Sequence, residues 1–170
     1  LLPDIQTFKP SVLLVVPRVL EKVYNAASSK AGGGIKGRMF AWSAKQARAY
    51  SIASEKTFGP GMLKKMRHGI ADALVLKKIR AILGPNLRYI VSGGAPLATD
   101  LAHFYAGMGL TLIQGYGLSE TTGPIAVQHI GKNPVGGVGL PLPGNFIKTA
   151  KDGEILVRGQ SVMPGYYHLP

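Results

Sequence analysis

Short apolar runs alternate along this chain with longer stretches whose apolar residues recur every three or four positions. The first pattern predicts buried strands and the second predicts helices with one face turned to a core. Residues 1–5 read as the end of a helix. Residues 11–16 (SVLLVV) are a β-branched run that predicts a strand, and Pro17 closes it and opens a helix over 18–29 with Val19, Leu20, Val23, Ala26 and Ala27 on one side. Ala31 and three glycines stop that helix. The spacing predicts a second helix over 35–55, with Met39, Trp42, Ala49 and Ile52 roughly on one side. After the breaker Thr57-Phe58-Gly59-Pro60-Gly61 comes a third over 62–83, with an apolar stripe of Met66, Ile70, Leu74 and Ile79. Trp42 and these methionines are read as core or inter-helix packing.

A strand–helix–strand unit follows. Residues 87–91 read as a strand and residues 92–96 as the loop behind it. Leu97, Leu101, Phe104, Tyr105 and Met108 mark a helix whose first turn Pro96 suits, and residues 110–113 read as the next strand. A crossover of this length makes the two strands parallel, with a right-handed connection, so both following loops leave the same sheet edge. Residues 124–128 predict a further strand. From Gly131 onward the chain turns to glycine, proline and short alternating runs, with Asp152-Gly153 as a hairpin turn. The expected fold class is α/β: a parallel-sheet αβα nucleotide-binding subdomain over 1–130, then the start of a small β-rich, barrel-like subdomain over 131–170.

The loop after the second strand, expected over 115–123, holds Tyr116, Ser119, Glu120, Thr121 and Thr122 among glycines. Glu120 is a hard oxygen ligand suited to Mg²⁺, Ser119 can donate to a phosphate oxygen, and Tyr116 offers a flat face to a base. Gly93 and Gly94 let a flat base approach the backbone. In open α/β sheets ligands bind at this edge. Each loop alone is equally well a plain βα turn; two on one edge, one of them carrying Ser-Glu, point to a nucleotide with its metal. The competing role for Glu120 is that of a helix-capping carboxylate.

Composition narrows the choices. Of 170 residues 46% are hydrophobic and 16% charged, a globular balance with no disorder signature. No apolar run reaches the ~18 residues that span a bilayer. Without cysteine there is no disulfide and no thiol catalysis, which suits a reducing, cytoplasmic setting. The net charge of +12 lies wholly in residues 1–90, which carry 16 Lys/Arg against 4 Asp/Glu, while residues 91–170 carry 4 of each. This asymmetry reads first as solvated helical faces and second as a basic amphipathic surface for the inner face of an anionic membrane. No zinc pattern or aromatic-studded basic strand accompanies it, so no nucleic-acid partner is expected. Four scattered histidines make no metal motif. There is no G-x-S-x-G elbow and no Walker loop, and Gly32-Gly33-Gly34-Ile35-Lys36-Gly37 follows a helix where a dinucleotide fingerprint needs a strand.

Gln114-Gly115-Tyr116-Gly117-Leu118-Ser119-Glu120-Thr121-Thr122-Gly123 resembles the central signature of the adenylate-forming, AMP-binding enzymes. Ser92-Gly93-Gly94-Ala95-Pro96-Leu97 resembles their adenine loop, and Asp152-Gly153-Glu154-Ile155-Leu156-Val157-Arg158-Gly159 with Gly165-Tyr166-Tyr167 resembles a third family motif. Residues 16–24 look most like bacterial long-chain fatty acyl-CoA synthetases. The resemblance implies a ligase that activates a fatty acid with ATP to acyl-AMP and passes it to coenzyme A. A fatty acyl-AMP ligase, or a non-catalytic nucleotide-binding or membrane-associated module, is the alternative. It implies adenine contacts at Gly93, Gly94, Ala95, Pro96 and Tyr116, phosphate contact at Ser119, Mg²⁺ on Glu120, and a cleft lined by Gln114, Gly115, Gly117 and Thr121. It also implies that the phosphate loop with its lysine precedes Leu1, and that the ribose-binding aspartate and catalytic lysine follow Pro170. The chain then reads as an internal piece of a longer enzyme, inactive by itself.

Overall fold

The computed structural model describes residues 2–131 and 134–168. Helix α1 (Leu2–Phe8) leads into β1 (Val12–Val15), and Pro17 opens α2 (Pro17–Ala31) as expected, its absent N–H falling where no intrahelical partner exists. Helix α3 (Gly34–Ser54) follows. The predicted helix over 62–83 is present, but as α4 (Met62–Ala71), a π-helical turn (Asp72–Leu76) and α5 (Lys77–Leu83). Then come β2 (Tyr89–Ser92), α6 (Thr99–Gly107), β3 (Thr111–Leu118), a 3₁₀ turn (Ser119–Thr121) and β4 (Gly123–Val127). Strand β5 (Leu140–Pro141) joins the same sheet, whereas β6 (Asn145–Thr149) and β7 (Ile155–Gly159) form a separate antiparallel hairpin. That hairpin turns at Asp152-Gly153, where Gly153 has φ +93° and the Glu154 N–H donates to Asp152 Oδ1 at 3.2 Å.

The main sheet runs β1-β2-β3-β4-β5. Its first three strands are parallel, with Val12 beside Tyr89 and Tyr89 beside Thr111. Past Gln114 strand β3 changes partner: residues 115–118 pair antiparallel with β4, with a bulge between Tyr116 and Gly117. Half of the expected loop is therefore strand, because glycines beside β4 permit a backbone approach that leaves no need for a loop. Helix α6 begins at Thr99, so Pro96 stands in the loop ahead of it and not in its first turn. Proline restrains the residue before it to extended backbone, which lengthens the loop, and buried Leu97 anchors the far end.

One core lies between the sheet and the helices, built on Leu20, Leu76, Ile90, Phe104, Tyr105 and Met108. Each such side chain contributes about 1.5–3 kcal/mol on burial. The Tyr105 hydroxyl donates to the Leu20 carbonyl at 2.8 Å, and burial pushes its phenol above the ordinary range.

Two expected helix faces are reversed. Helix α3 buries Phe40, Ser43, Ala44, Ala47 and Ser51, while Trp42 and Ile52 remain 36% and 43% exposed. Its inner face packs on α6 so closely that a Cβ at Gly107 would lie 2.0 Å from the Ala47 carbonyl oxygen. Opposite Gly107 only a small residue fits, so the Ser/Ala side turns inward there, while Phe40 packs against Phe104 elsewhere on α6 and Trp42 turns outward. On the next helix Met66, Ile70 and Leu74 are exposed, whereas Ala71, Leu76, Ile79 and Leu83 are buried. The π turn adds a residue to one turn and shifts the phase, so a stripe drawn with a single period passes from the outer to the inner face. Arg80 closes this segment, donating to Asp72 and, at 2.6 Å, to the Met108 carbonyl at the end of α6. The guanidinium holds the Asp72 carboxyl below the usual carboxylate range. Among the described residues no helix is long and apolar enough to cross a membrane.

Candidate functional site

Parallel pairing of β2 and β3 brings residues 93–96 and the β3–β4 hairpin to one sheet edge. A Cβ placed on Gly93 would be 3.6 Å from the Gly115 carbonyl oxygen, so the two segments are immediate neighbours. Between them lies a cleft of about 640 Å³, lined by Ser92, Gly93, Gly94, Gly115, Gly117, Ser119 and Glu120 over an apolar floor of Leu14, Val91 and Val127. A second hollow of about 320 Å³ adjoins it, lined by Ala95, Pro96, Gln114, Tyr116 and Val138, and shares Gly94, Gly115, Gly117 and Leu118 with the first.

Ten of the eleven residues nominated from the sequence thus line one hollow or the other. Thr121 lines neither. It is buried, and its hydroxyl accepts the Leu118 N–H at 2.9 Å and sits 2.9 Å from the Gly123 carbonyl. That hydroxyl is the internal cap of the 3₁₀ turn. Gln114 is also largely committed: its N–H donates to Gln128 Oε1 at 2.8 Å, while Gln128 Nε2 donates to the Pro134 carbonyl at 2.9 Å. This brace sits where β3 changes from parallel to antiparallel pairing. Gly117 is required by close approach, since a Cβ there would meet the Gly123 carbonyl oxygen at 2.0 Å. Gly94 has φ +80°, which bulkier residues resist.

Glu120 projects from the turn between β3 and β4. The Tyr166 hydroxyl donates to its Oε1, and this bond holds the carboxyl below the usual carboxylate range and pushes the phenol up. Its backbone carbonyl accepts the Met163 N–H at 2.8 Å, and the hydroxyl of Thr122, a left-handed residue at φ +55°, donates to the Ser161 carbonyl at 2.9 Å. A β-branched residue at positive φ persists only where its surroundings hold it. The sequence reading missed this clamp of residues 161–166. Its signal was the quoted Gly165-Tyr166 motif, to which no role was attached. The apolar floor was also missed, although Leu14 and Val91 sit at the ends of predicted strands.

Among the described residues no cluster of three His, Asp or Glu side chains exists that would cage a metal by itself. A single carboxylate facing a cleft nonetheless suits Mg²⁺, which keeps several waters and takes its other ligands from phosphates. No Lys or Arg lines either hollow among the described residues, so these segments supply hydroxyl, amide and carboxylate groups and no cationic charge.

A two-part glycine-lined cleft at the carboxyl edge of parallel strands marks an α/β protein with its hollow where open sheets take ligands. The chain belongs to the family described as AMP-binding enzyme, which matches residues 1–167. It is 50% identical over 167 residues to the long-chain-fatty-acid–CoA ligase FadD15 of Mycobacterium bovis, covering 98% of this chain and 28% of that protein. It is 35% identical to long chain acyl-CoA synthetase 8 of Arabidopsis thaliana, covering 97% of this chain and 25% of that one. The chain therefore spans about a quarter of the length of these curated relatives. The fold is shared with the inhibitor-bound N-terminal domain of FACL13 from Mycobacterium tuberculosis, at a TM-score of 0.54, 15% identity, and coverage of 99% of this chain and 33% of that one.

Proposed function

We propose that these residues are the nucleotide-binding centre of a long-chain fatty acid–CoA ligase. The observation that carries this reading is the convergence of the two glycine segments on one cleft with Ser119 and Glu120 at its rim. Identity to a long-chain ligase along nearly the whole chain supports it. Adenine lies against Gly93, Gly94, Ala95, Pro96 and Tyr116, with Gln114 and Gly115 behind it and Thr121 holding the turn from within. Ser119 donates to phosphate, Glu120 binds Mg²⁺, and the acyl chain follows Gly115 and Gly117 over the apolar floor. A fatty carboxylate oxygen attacks the α-phosphorus of ATP and pyrophosphate leaves; the coenzyme A thiol then attacks the acyl carbon and AMP leaves. Bound Mg²⁺ would supply neutralisation of phosphate charge. The chain's own share is positioning and hydrogen bonding, with no covalent enzyme intermediate. Residues 1–130 form the nucleotide-binding subdomain of this reading and 131–170 the start of a β-rich one.

Glu120→Gln in the full-length ligase tests it. Adenylation should fall at least ~10²-fold, the scale of one lost preorganised contact, and rise partly again with added Mg²⁺. Pyrophosphate release against Mg²⁺ concentration, paired with a melting curve, is the measurement. A near-normal rate with unchanged Mg²⁺ dependence removes Glu120 from the site. Acyl-CoA as the product separates this reading from an acyl-AMP ligase.

A second reading concerns the outer face of α4. Met62, Leu63, Met66 and Ile70 are exposed among Lys64, Lys65 and Arg67. We propose that this face rests on the anionic cytoplasmic membrane surface, its apolar residues in the acyl boundary and its cations on head groups. Flotation with anionic vesicles but not neutral ones, abolished by Lys64→Glu/Lys65→Glu, is the expected result. Equal flotation of both proteins would remove it.

A further inference from the structure

Glu120 is held from outside its own hairpin. Residues 161–166 reach the β3–β4 turn by two kinds of contact. Two contacts go through the backbone: the Met163 N–H to the Glu120 carbonyl at 2.8 Å, and the Thr122 hydroxyl to the Ser161 carbonyl at 2.9 Å. The third goes to the functional carboxylate itself, from the Tyr166 hydroxyl to Oε1. The first two seat the segment on the turn. The third falls on Glu120, among the described residues the one carboxylate that lines the larger cleft.

We propose that Tyr166 is a positioning residue for adenylation: its phenol engages Glu120 Oε1 and thereby presents Oε2 to the nucleotide-bound cation. This rests on the reading of Glu120 as the metal ligand. A glutamate has three side-chain torsions, and fixing one oxygen restrains all of them. Besides the phenol, the residue's own N–H bonds the carboxyl, and the carboxylate still lines the cleft, within reach of a cation there. Metal ligands elsewhere are oriented by the same kind of outer partner.

The test compares Tyr166→Phe, Glu120→Gln and the double variant in the full-length ligase. The probe is Mn²⁺ with α,β-methylene ATP, free Mn²⁺ being read by its paramagnetic resonance signal. Tyr166→Phe should weaken Mn²⁺ binding about tenfold, the lower end for loss of an outer-shell partner, and should have no further effect once Glu120 is Gln. The acid limb of pyrophosphate release should also move to higher pH in Tyr166→Phe, because the carboxyl regains its ordinary titration. Introducing 3-fluorotyrosine at 166 keeps ring and hydroxyl but makes a stronger donor, so the limb should move to lower pH. Mn²⁺ binding is read below the melting temperature of each variant, so an early-melting Tyr166→Phe still decides the matter. Unchanged Mn²⁺ binding and an unmoved limb in the position-166 variants, with Glu120→Gln weakening Mn²⁺ binding, overturn the proposal and leave the metal-ligand reading standing. Unchanged Mn²⁺ binding in Glu120→Gln overturns the reading and the proposal together.

Discussion

The two glycine segments that face each other across the cleft are built in opposite ways. Residues 93–96 are held loosely: Gly94, Ala95 and Pro96 are exposed, and the Gly93 N–H reaches the Val15 carbonyl only at 3.4 Å. Order comes from the ends, where Ser92 pairs in the sheet and Leu97 is buried. The turn at 119–122 is tied at almost every position, from inside by Thr121 and from outside by Ser161, Met163 and Tyr166. On the proposed function, the contrast follows from what each would present. A platform for a flat ring needs only bare backbone, whereas a side chain that presents charge must be fixed in direction as well as place.

Substitutions can break or sharpen this contrast. The largest effect is expected for Gly117→Ala, whose Cβ would meet backbone of β4, the Gly123 oxygen at 2.0 Å and Pro124 Cα at 2.6 Å. Neither neighbour can step aside, so the hairpin must open at a cost of about 3 kcal/mol. A melting curve together with loss of adenylation checks it. Thr121→Val comes next: the shape is kept but the Leu118 N–H loses its acceptor in a part-buried bond, for about 2 kcal/mol. Chemical denaturation of the full-length protein would read this. Gly94→Ala places a side chain at φ +80°, its Cβ in ordinary contact with Val16 Cγ1 at 3.7 Å, and should cost about 1 kcal/mol. Smallest is Gly93→Ala, whose nearest neighbour at 3.6 Å is an ordinary contact. Stability should stay within about 0.5 kcal/mol while the KM for ATP rises, because a methyl now stands where a base would lie. Gly93→Ala melting as early as Gly117→Ala would show that the first segment is as tightly built as the second.

The three parallel strands and the shared edge were legible because apolar runs and glycine breaks mark parallel strands directly. The faces of α3 and of the helix after it were not, although Leu101, Phe104 and Tyr105 on α6, with Leu97 and Met108 flanking it, are buried as expected. A hydrophobic face predicts burial only where neighbours stand at ordinary distance. Ala47 against Gly107 is closer than that, and smallness outweighs hydrophobicity there. The stripe from Met66 to Ile79 failed for another reason, since the π turn between them has no signature in apolar spacing. At the site, residue types in the signature pointed to the cleft. Which hydroxyl faces the ligand and which caps the turn depends on a bulge and a 3₁₀ turn that spacing does not encode. Ser119 and Thr121 could not be told apart until the backbone was in view. Tyr166 was invisible as a partner because it lies 46 residues from Glu120.

That separation bears on the order in which the protein becomes competent as it leaves the ribosome. Strands β1 to β3 and the helices between them are complete once Leu118 has emerged, and they can collapse on the core as a unit. Glu120 appears with them but stays unset, because the chain that orients it has yet to be translated. Only after Ser161, Met163 and Tyr166 emerge can the acidic group take its final direction. Burial of the core and readiness of the carboxylate are therefore separate events in the life of a nascent chain, and a polypeptide halted between them would be compact with its carboxylate not yet in place.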